Sequence, residues 1–389
     1  MSRFLFVVPP LTGHINPTAA VGAELTARGH EVAWAGHPGT LAPLLPSDAR
    51  VFPVIDDALD TSLREGREQW MDLRGAAALK FFWEDFTIPL ASSMLPGVSA
   101  AISSYQPDVV VADQQALAGA IGARAAGVPW VTSASTPAEL LKPLAALPKV
   151  EEWVTAQMND LQAAAGVSSP VDLRFSDQLI LTFTSAELLG AAAAGLPPEC
   201  VLTGPALGRP DRGSFDWDWL DPSRRHVLVS LGTLNGPAGE RFYRVVTEAL
   251  ADLGPELQAV IVGPAPESAD VPSHLMFTGH VPQLALLPRM DAVVSHGGHN
   301  TVCETLANGL PLVVTPIRDD QPIIAQQVAD AGAGIRLRFG RLRAGDLRDA
   351  VTSVLAPGSA YRTAAVRVQE SFAAAGGAAS AADHLEKLA

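Results

Sequence analysis

The chain has 389 residues, of which 48% are hydrophobic and only 17% charged, below the usual roughly 25%. A net charge of −14 excludes a nucleic-acid binder, because no basic stripe is present to neutralise phosphates. The two cysteines, Cys200 and Cys303, fall in different halves without metal-ligand spacing or a disulfide framework, as expected in a reducing cytoplasm. No run approaches the roughly 18 apolar residues of a membrane-crossing helix, and the N-terminal apolar run is too short for a signal segment. Neither an integral membrane segment nor a bound metal is expected. The length predicts two or three domains.

In chain order, Phe4–Val8 reads as a strand, and Asn16 then offers an N-cap with Pro17 at the first helical position. That helix should run to Arg28 and stop at Gly29, before a second strand at Glu31–Ala35. A strand at Asp108–Ala112, a helix over Gln115–Ala126 and a strand at Trp130–Ser133 follow. Strands alternating with helices imply a parallel, doubly wound sheet. Two irregular regions, 56–100 and 136–176, interrupt the pattern and read either as lids over the ligand edge or as packed helical hairpins. Phe82, Trp83 and Phe86 in the first of them are candidates for lining an apolar binding pocket.

Residues 206–225 are rich in Pro, Gly, Asp and Arg, without hydrophobic periodicity, and mark a linker. The Asp216-Trp-Asp218 triplet superficially matches a metal-holding motif, but it sits in this linker and not at a strand end. Strand signals resume at His226–Leu231, Leu257–Val262, Leu275–Thr278, Asp291–Ser295, Pro311–Thr315 and Gly334–Leu337, and two helical stretches, near 344–356 and 358–388, close the chain.

Asp291 to Gln321 is the most informative stretch. A short apolar strand runs into His296-Gly297-Gly298-His299, and Asn300-Thr301 open a helix that stops at Asn308-Gly309. Pro311–Thr315 is the next strand, ending in the tip Arg318-Asp319-Asp320-Gln321. Glycines at a strand end let backbone N–H groups approach an anion, and the helix start adds its positive end. A pyrophosphate needs this chemistry. In the first half, His14 follows strand one at the ligand edge, where a helix N-terminus disfavours the imidazolium and keeps the ring able to accept a proton. Asp113 ends a neighbouring strand and points to the same edge, either to orient that histidine or to cap the helix after it. Asp108 stands at the start of the strand and so belongs to the opposite edge.

The stretch 291–321, together with Leu11–Pro17, Val229–Thr233 and Val281–Gln283, resembles the family 1 glycosyltransferases of GT-B fold. Bacterial natural-product and carotenoid-type members are the nearest in motif detail. The resemblance implies two Rossmann-like α/β domains facing a central cleft: an acceptor-binding domain (1–205), a linker (206–225), a nucleotide-sugar-binding domain (226–370) and a final helix (371–389) packing back on the first domain. It implies an inverting, metal-independent hexosyl transfer from a UDP- or dTDP-linked sugar to a hydroxyl of a lipophilic small molecule, with His14 as base and Asp113 as its partner. No cofactor beyond the nucleotide-sugar co-substrate is implied, and a monomer or homodimer is expected. Donor contacts carried over are Gly232, Thr233, His296, Gly298, Asn300 and Thr301 for the pyrophosphate, Glu304 and Gln283 for the ribose, and Asp320 and Gln321 for the sugar. Glu304 follows Asn300 by four residues on one helical face, though alone it would read as an ordinary surface glutamate. Many relatives stack a tryptophan on the base where this chain has His280, beside Val281, so base selectivity is left open. A nicotinamide-dependent dehydrogenase fails for want of G-x-G-x-x-G after strand one. A sugar-nucleotide epimerase of the same fold and a non-catalytic partner of a glycosyltransferase are the remaining alternatives.

Overall fold

The computed structural model describes residues 1–70, 73, 75–145, 147–210, 213–232, 239–266 and 271–389, without the side chains of Arg64 and 67–69. The chain divides into two units. The first holds Met1–Phe183, Leu196–Leu207 and Gly376–Ala389, and the second holds Thr184–Gly195 and Gly208–Ala375.

The first unit is built on seven parallel strands: β1 (Arg3–Val7), β2 (Glu31–Gly36), β3 (Arg50–Pro53), β4 (Val109–Asp113), β5 (Trp130–Ala134), β6 (Ile180–Thr182) and β7 (Cys200–Leu202). Their order across the sheet is β3-β2-β1-β4-β5-β6-β7. Successive side chains of β1 and β4 enter different cores: Leu5, Val7 and Val110 pack on one face, and Phe4, Phe6, Val109 and Val111 on the other. Burial on both faces is why these strands read as unbroken apolar runs.

The second unit repeats the plan with β8 (Arg225–Ser230), β9 (Leu257–Val262), β10 (Leu275–Thr278), β11 (Ala292–Ser295), β12 (Leu312–Val314) and β13 (Gly334–Arg336), ordered β10-β9-β8-β11-β12-β13. Val227, Val229 and Val294 face one core, while Leu228, Val260 and Val293 face another.

Several expectations are corrected. The first helix spans Thr12–Ala27 with Pro17 inside it, so Asn16 is not its cap and His14 lies in its first turn. The helix after β4 begins at Leu117, two residues later than expected. Ala76–Tyr105 is one continuous helical stretch, long and apolar enough by length and composition to cross a membrane, contrary to the expectation of none. Its residues Leu90, Met94, Val98 and Ile102 are buried in the core of the first unit, as in the central helix of a packed domain. The first unit does not run unbroken to residue 205, because the excursion Thr184–Gly195 belongs to the second unit, where Leu188 packs with Val302, Leu306 and Phe372.

The C-terminal part comprises three helices, Ala344–Leu355, Ala360–Ala375 and Gly377–Glu386, where two were expected. The last one buries Ala381, Ala382 and Leu385 against Val21 and Leu25. It is held by Arg28, which reaches Asp383 at 2.6 Å and Glu386 at 3.0 Å.

Candidate functional site

β1 and β4 are neighbours, with Val7 paired to Ala112, and the strand order turns outward in opposite directions from them. Such a reversal opens a crevice at the carboxyl edge of the sheet. The residues just beyond that pairing are the ones singled out from sequence. His14 stands in the first turn of the helix after β1, and Asp113 is the last residue of β4. His14 Nδ1 lies 2.9 Å from Asp113 Oδ1. The Gln115 N–H donates to the same oxygen at 2.9 Å, so the turn-capping role and the histidine-orienting role of Asp113 coexist.

A third side chain joins them. Ser135, directly after β5, donates to Asp113 Oδ2 at 2.7 Å, and its Oγ lies 2.7 Å from His14 Nδ1. The Asp113 side chain is wholly buried, whereas His14 keeps 16% of its side-chain surface open. A buried carboxylate is tolerated when its oxygens are hydrogen-bonded. Because the carboxylate only accepts, the network assigns the ring proton to Nδ1 and the lone pair to Nε2. Asp108, the competitor, sits at the amino edge, accepting the Arg3 N–H at 2.7 Å. Glu139, on the 3-10 turn Pro137–Leu141, retains partial exposure, yet burial pushes its carboxyl up to about 7, with the Arg174 charge opposing.

The second sheet has the same reversal between β8 and β11, where Ser230 pairs with Ser295. Beyond that pairing the chain is glycine and backbone. Gly232 has φ +72° and Gly297 has φ +90°, conformations in which a Cβ is strained. His296 is wedged between two glycines: a Cβ on Gly232 would meet its Cε1 at 2.7 Å, and one on Gly298 would meet its Nε2 at 2.6 Å. Burial pushes the His296 ring down to about 4, with the Arg318 charge acting in the same direction and the Ser230 carbonyl against it. A neutral ring has one N–H, and the Ser230 carbonyl attracts it, which leaves the other nitrogen an acceptor. His296 is therefore less of a ready anion donor than its sequence context suggested. The backbone at Gly298 and the start of helix His299–Ala307 are the donors of fixed geometry.

Glu304, on that helix, accepts from Gln283 Nε2 at 2.5 Å, which brings together the two residues assigned to the ribose. Burial pushes its carboxyl up to about 7, and the Gln283 hydrogen bond works against that. Gln321 is buried, and its side-chain oxygen accepts the N–H groups of Ile317 at 2.9 Å and Arg318 at 3.1 Å. Only its amide N–H₂ side remains for a sugar. Asp320 immediately precedes the helix Gln321–Asp330, after the left-handed Asp319 at φ +55°.

Residues 244–388 match the family described as erythromycin biosynthesis protein CIII-like, C-terminal domain. The whole chain is 28% identical to the 4'-demethylrebeccamycin synthase of Lentzea aerocolonigenes, covering 99% of that protein. It is 29% identical to the 10-deoxymethynolide desosaminyltransferase of Streptomyces venezuelae, over 94% of this chain and 92% of that one. The crystal structure of the glycotransferase of kitacinnamycin superposes with a TM-score of 0.82 at 26% identity, covering 100% of this chain and 99% of that one. The chain is a glycosyltransferase of GT-B fold.

The remaining sequence candidates distribute unevenly in this glycosyltransferase. Trp83 and Phe86 are core residues, each 3% exposed, so neither lines an open pocket. Phe82 stays partly exposed, edge-on to Trp83 at 5.9 Å. The Val281 side chain packs in the core with Leu228 and Val260, leaving only its backbone for a base, while His280 is exposed. Asn300 and Thr301 lie in the first turn of their helix. Thr233 falls outside the described residues. Trp217, between Asp216 and Asp218, packs against Phe215 and Arg289, a structural role for that triplet. Among the described residues, no group of three or more His, Cys, Asp or Glu is placed to hold a metal ion.

Proposed function

We propose that the enzyme transfers a hexose, with inversion, from a UDP- or dTDP-linked sugar to a hydroxyl of a lipophilic small molecule of natural-product type. The observation that carries this reading is the His14–Asp113 pair at the switch point of the first sheet, with Nε2 bearing the lone pair. Nε2 takes the proton of the acceptor hydroxyl as its oxygen bonds to the anomeric carbon. The carbon–oxygen bond to the diphosphate breaks on the opposite face, and its electron pair leaves with the phosphate. Asp113 stabilises the imidazolium that results.

On the donor side, the backbone around Gly298 and the helix start meet the charge building on the leaving diphosphate. Asn300 and Thr301 stand in the same turn. Glu304 and Gln283 serve the ribose hydroxyls, a task suited to a carboxylate that only accepts. Asp320 and the amide N–H₂ of Gln321 serve the sugar hydroxyls, which favours a hexose with free hydroxyls. The buried wall of Trp83 and Phe86 with the partly open Phe82 suits an apolar acceptor. Small-molecule acceptors are consistent with the names of the two curated relatives, and the two cysteines in different units suit the cytoplasm.

Mass spectrometry of products from a panel of UDP- and dTDP-sugars against hydroxylated apolar acceptors tests the reading. A mass gain of one hexosyl unit on an acceptor is expected. Donor turnover that needs no acceptor would point to an epimerase instead, and donor binding without any turnover would point to a non-catalytic partner.

A further inference from the structure

Ser135 belongs to no motif that carried the sequence reading, yet it touches both members of the candidate base. Its hydroxyl has one proton, and two groups compete for it. Given to Asp113 Oδ2 at 2.7 Å, it satisfies a carboxylate oxygen that is out of reach of water. The serine oxygen then faces His14 Nδ1 at 2.7 Å as an acceptor. The ring N–H can be shared between that oxygen and Asp113 Oδ1 at 2.9 Å. Given instead to His14, the proton would leave Oδ2 without a donor and set a bare Nδ1 against Oδ1. Only the first arrangement serves every group.

We propose that Ser135 is a positioning residue of the His14 base, acting through Asp113: its hydroxyl donates to the buried carboxylate and leaves the ring proton on Nδ1. The proposal rests on the reading of His14 as the base. Ser135 is 4% exposed and follows β5, whose Ser133 pairs with Asp113 itself, so the hydroxyl is fixed by the sheet and not by a mobile loop. Glu139, with Arg174 and Asp172 beyond it, also acts on Asp113 and His14, and because burial raises its carboxyl to about 7 it adds the same step to the wild-type and variant titrations, which are therefore compared with each other.

Without the hydroxyl, Oδ2 is left bare and the pair holds a proton more tightly, as a carboxylate does when it loses a donor. One hydrogen bond of about 0.5–1.5 kcal/mol corresponds to an upward displacement of up to about one pH unit. The experiment is a titration of the ¹⁵N-labelled His14 ring in the full-length, ligand-free protein, comparing wild type with Ser135→Ala, alongside the pH profile of kcat/KM. The His14 midpoint and the acid limb of the profile should both move to higher pH, with kcat falling up to about tenfold and donor KM unchanged. Ser135→Cys, similar in shape but a weak donor, covers the case in which the alanine variant does not fold, and it should show the same displacement in smaller degree. Midpoints that coincide with wild type would overturn the role of Ser135. A displaced midpoint in an enzyme that turns over no donor with any acceptor would leave Ser135 standing and remove the transferase reading instead.

Discussion

The two sheets place their functional residues at the same topological point and fill it in opposite ways. Between β1 and β4 the edge is occupied by side chains that titrate or donate: His14, Asp113 and Ser135 in mutual hydrogen bonds. Between β8 and β11 it is occupied by backbone: Gly232, Gly297 and Gly298 around a histidine that burial keeps neutral. A proton can be moved only by a group that changes its charge, whereas a diphosphate already carries its charge and needs donors that stay put. On the proposed function the first edge takes the reacting hydroxyl and the second the nucleotide sugar.

The sharpest way to break this division is His14→Ala. Turnover should fall by roughly 10²–10⁴, the usual contribution of a positioned base, while the donor dissociation constant measured calorimetrically stays at the wild-type value. Loss of donor binding in that variant would mean that the two edges do not divide the work.

Glu304→Ala should show the converse. Loss of a charged hydrogen-bonding group costs roughly 1.5–3 kcal/mol, so donor KM should rise about ten- to 150-fold with acceptor binding unchanged. Wild-type donor affinity should also weaken as the pH falls through about 7, because the Glu304 carboxyl, raised to that value, then takes up a proton and loses acceptor capacity. In Glu304→Gln that dependence should vanish. The sign for stability is opposite. The folded state holds this proton at pH values where the unfolded chain has released it, so Glu304 contributes stability below its ordinary value, and that contribution is lost as pH rises through about 7.

A smaller effect tests the packing at the second edge. Gly298 has an ordinary φ of −61°, so Gly298→Ala brings no backbone strain, only a Cβ against His296 Nε2 at 2.6 Å. Overpacking of this kind costs about 1–3 kcal/mol, which thermal unfolding should register. In a double-mutant cycle, His296→Ala should restore much of that loss. Additive losses would show that the ring is not what the new methyl meets. The smallest expected effect is that of excess EDTA on turnover, which should be nil if backbone donors and a helix start suffice for the leaving diphosphate. Metal-dependent loss of activity would reassign the second edge.

Both edges were legible in the sequence for one reason. An apolar run, a turn and a helix start in succession locate a strand's carboxyl end, and His14, Asp113 and the His296–Gly298 turn all sit at such ends. Ser135 was not legible, because a serine in a Ser-Ala-Ser-Thr-Pro run after a strand looks like any loop residue until the fold sets it beside β4. The start of the first helix was misread because Asn16-Pro17 resembles a helix entry, while the helix begins a turn earlier and carries the proline inside it. The short strands β3, β6 and β7 went unread, because each lies apart from the strand–turn–helix succession that marks the others. The excursion Thr184–Gly195 leaves no mark in sequence, because its place depends on Leu188 finding a partner core far along the chain. The role of Gln321 was only half legible: its motif suggested sugar binding, but its side-chain oxygen is committed to its own loop.

The most direct test of the central claim is the configuration at the anomeric carbon of the product. On the proposed function, with His14 as base and the diphosphate as leaving group, transfer is a single in-line displacement, so an α-linked gluco-configured donor should give a β-glycoside. Proton NMR of the purified product should show the large diaxial coupling of a β-anomeric proton. A small coupling, meaning retention, would contradict the account whatever the fold.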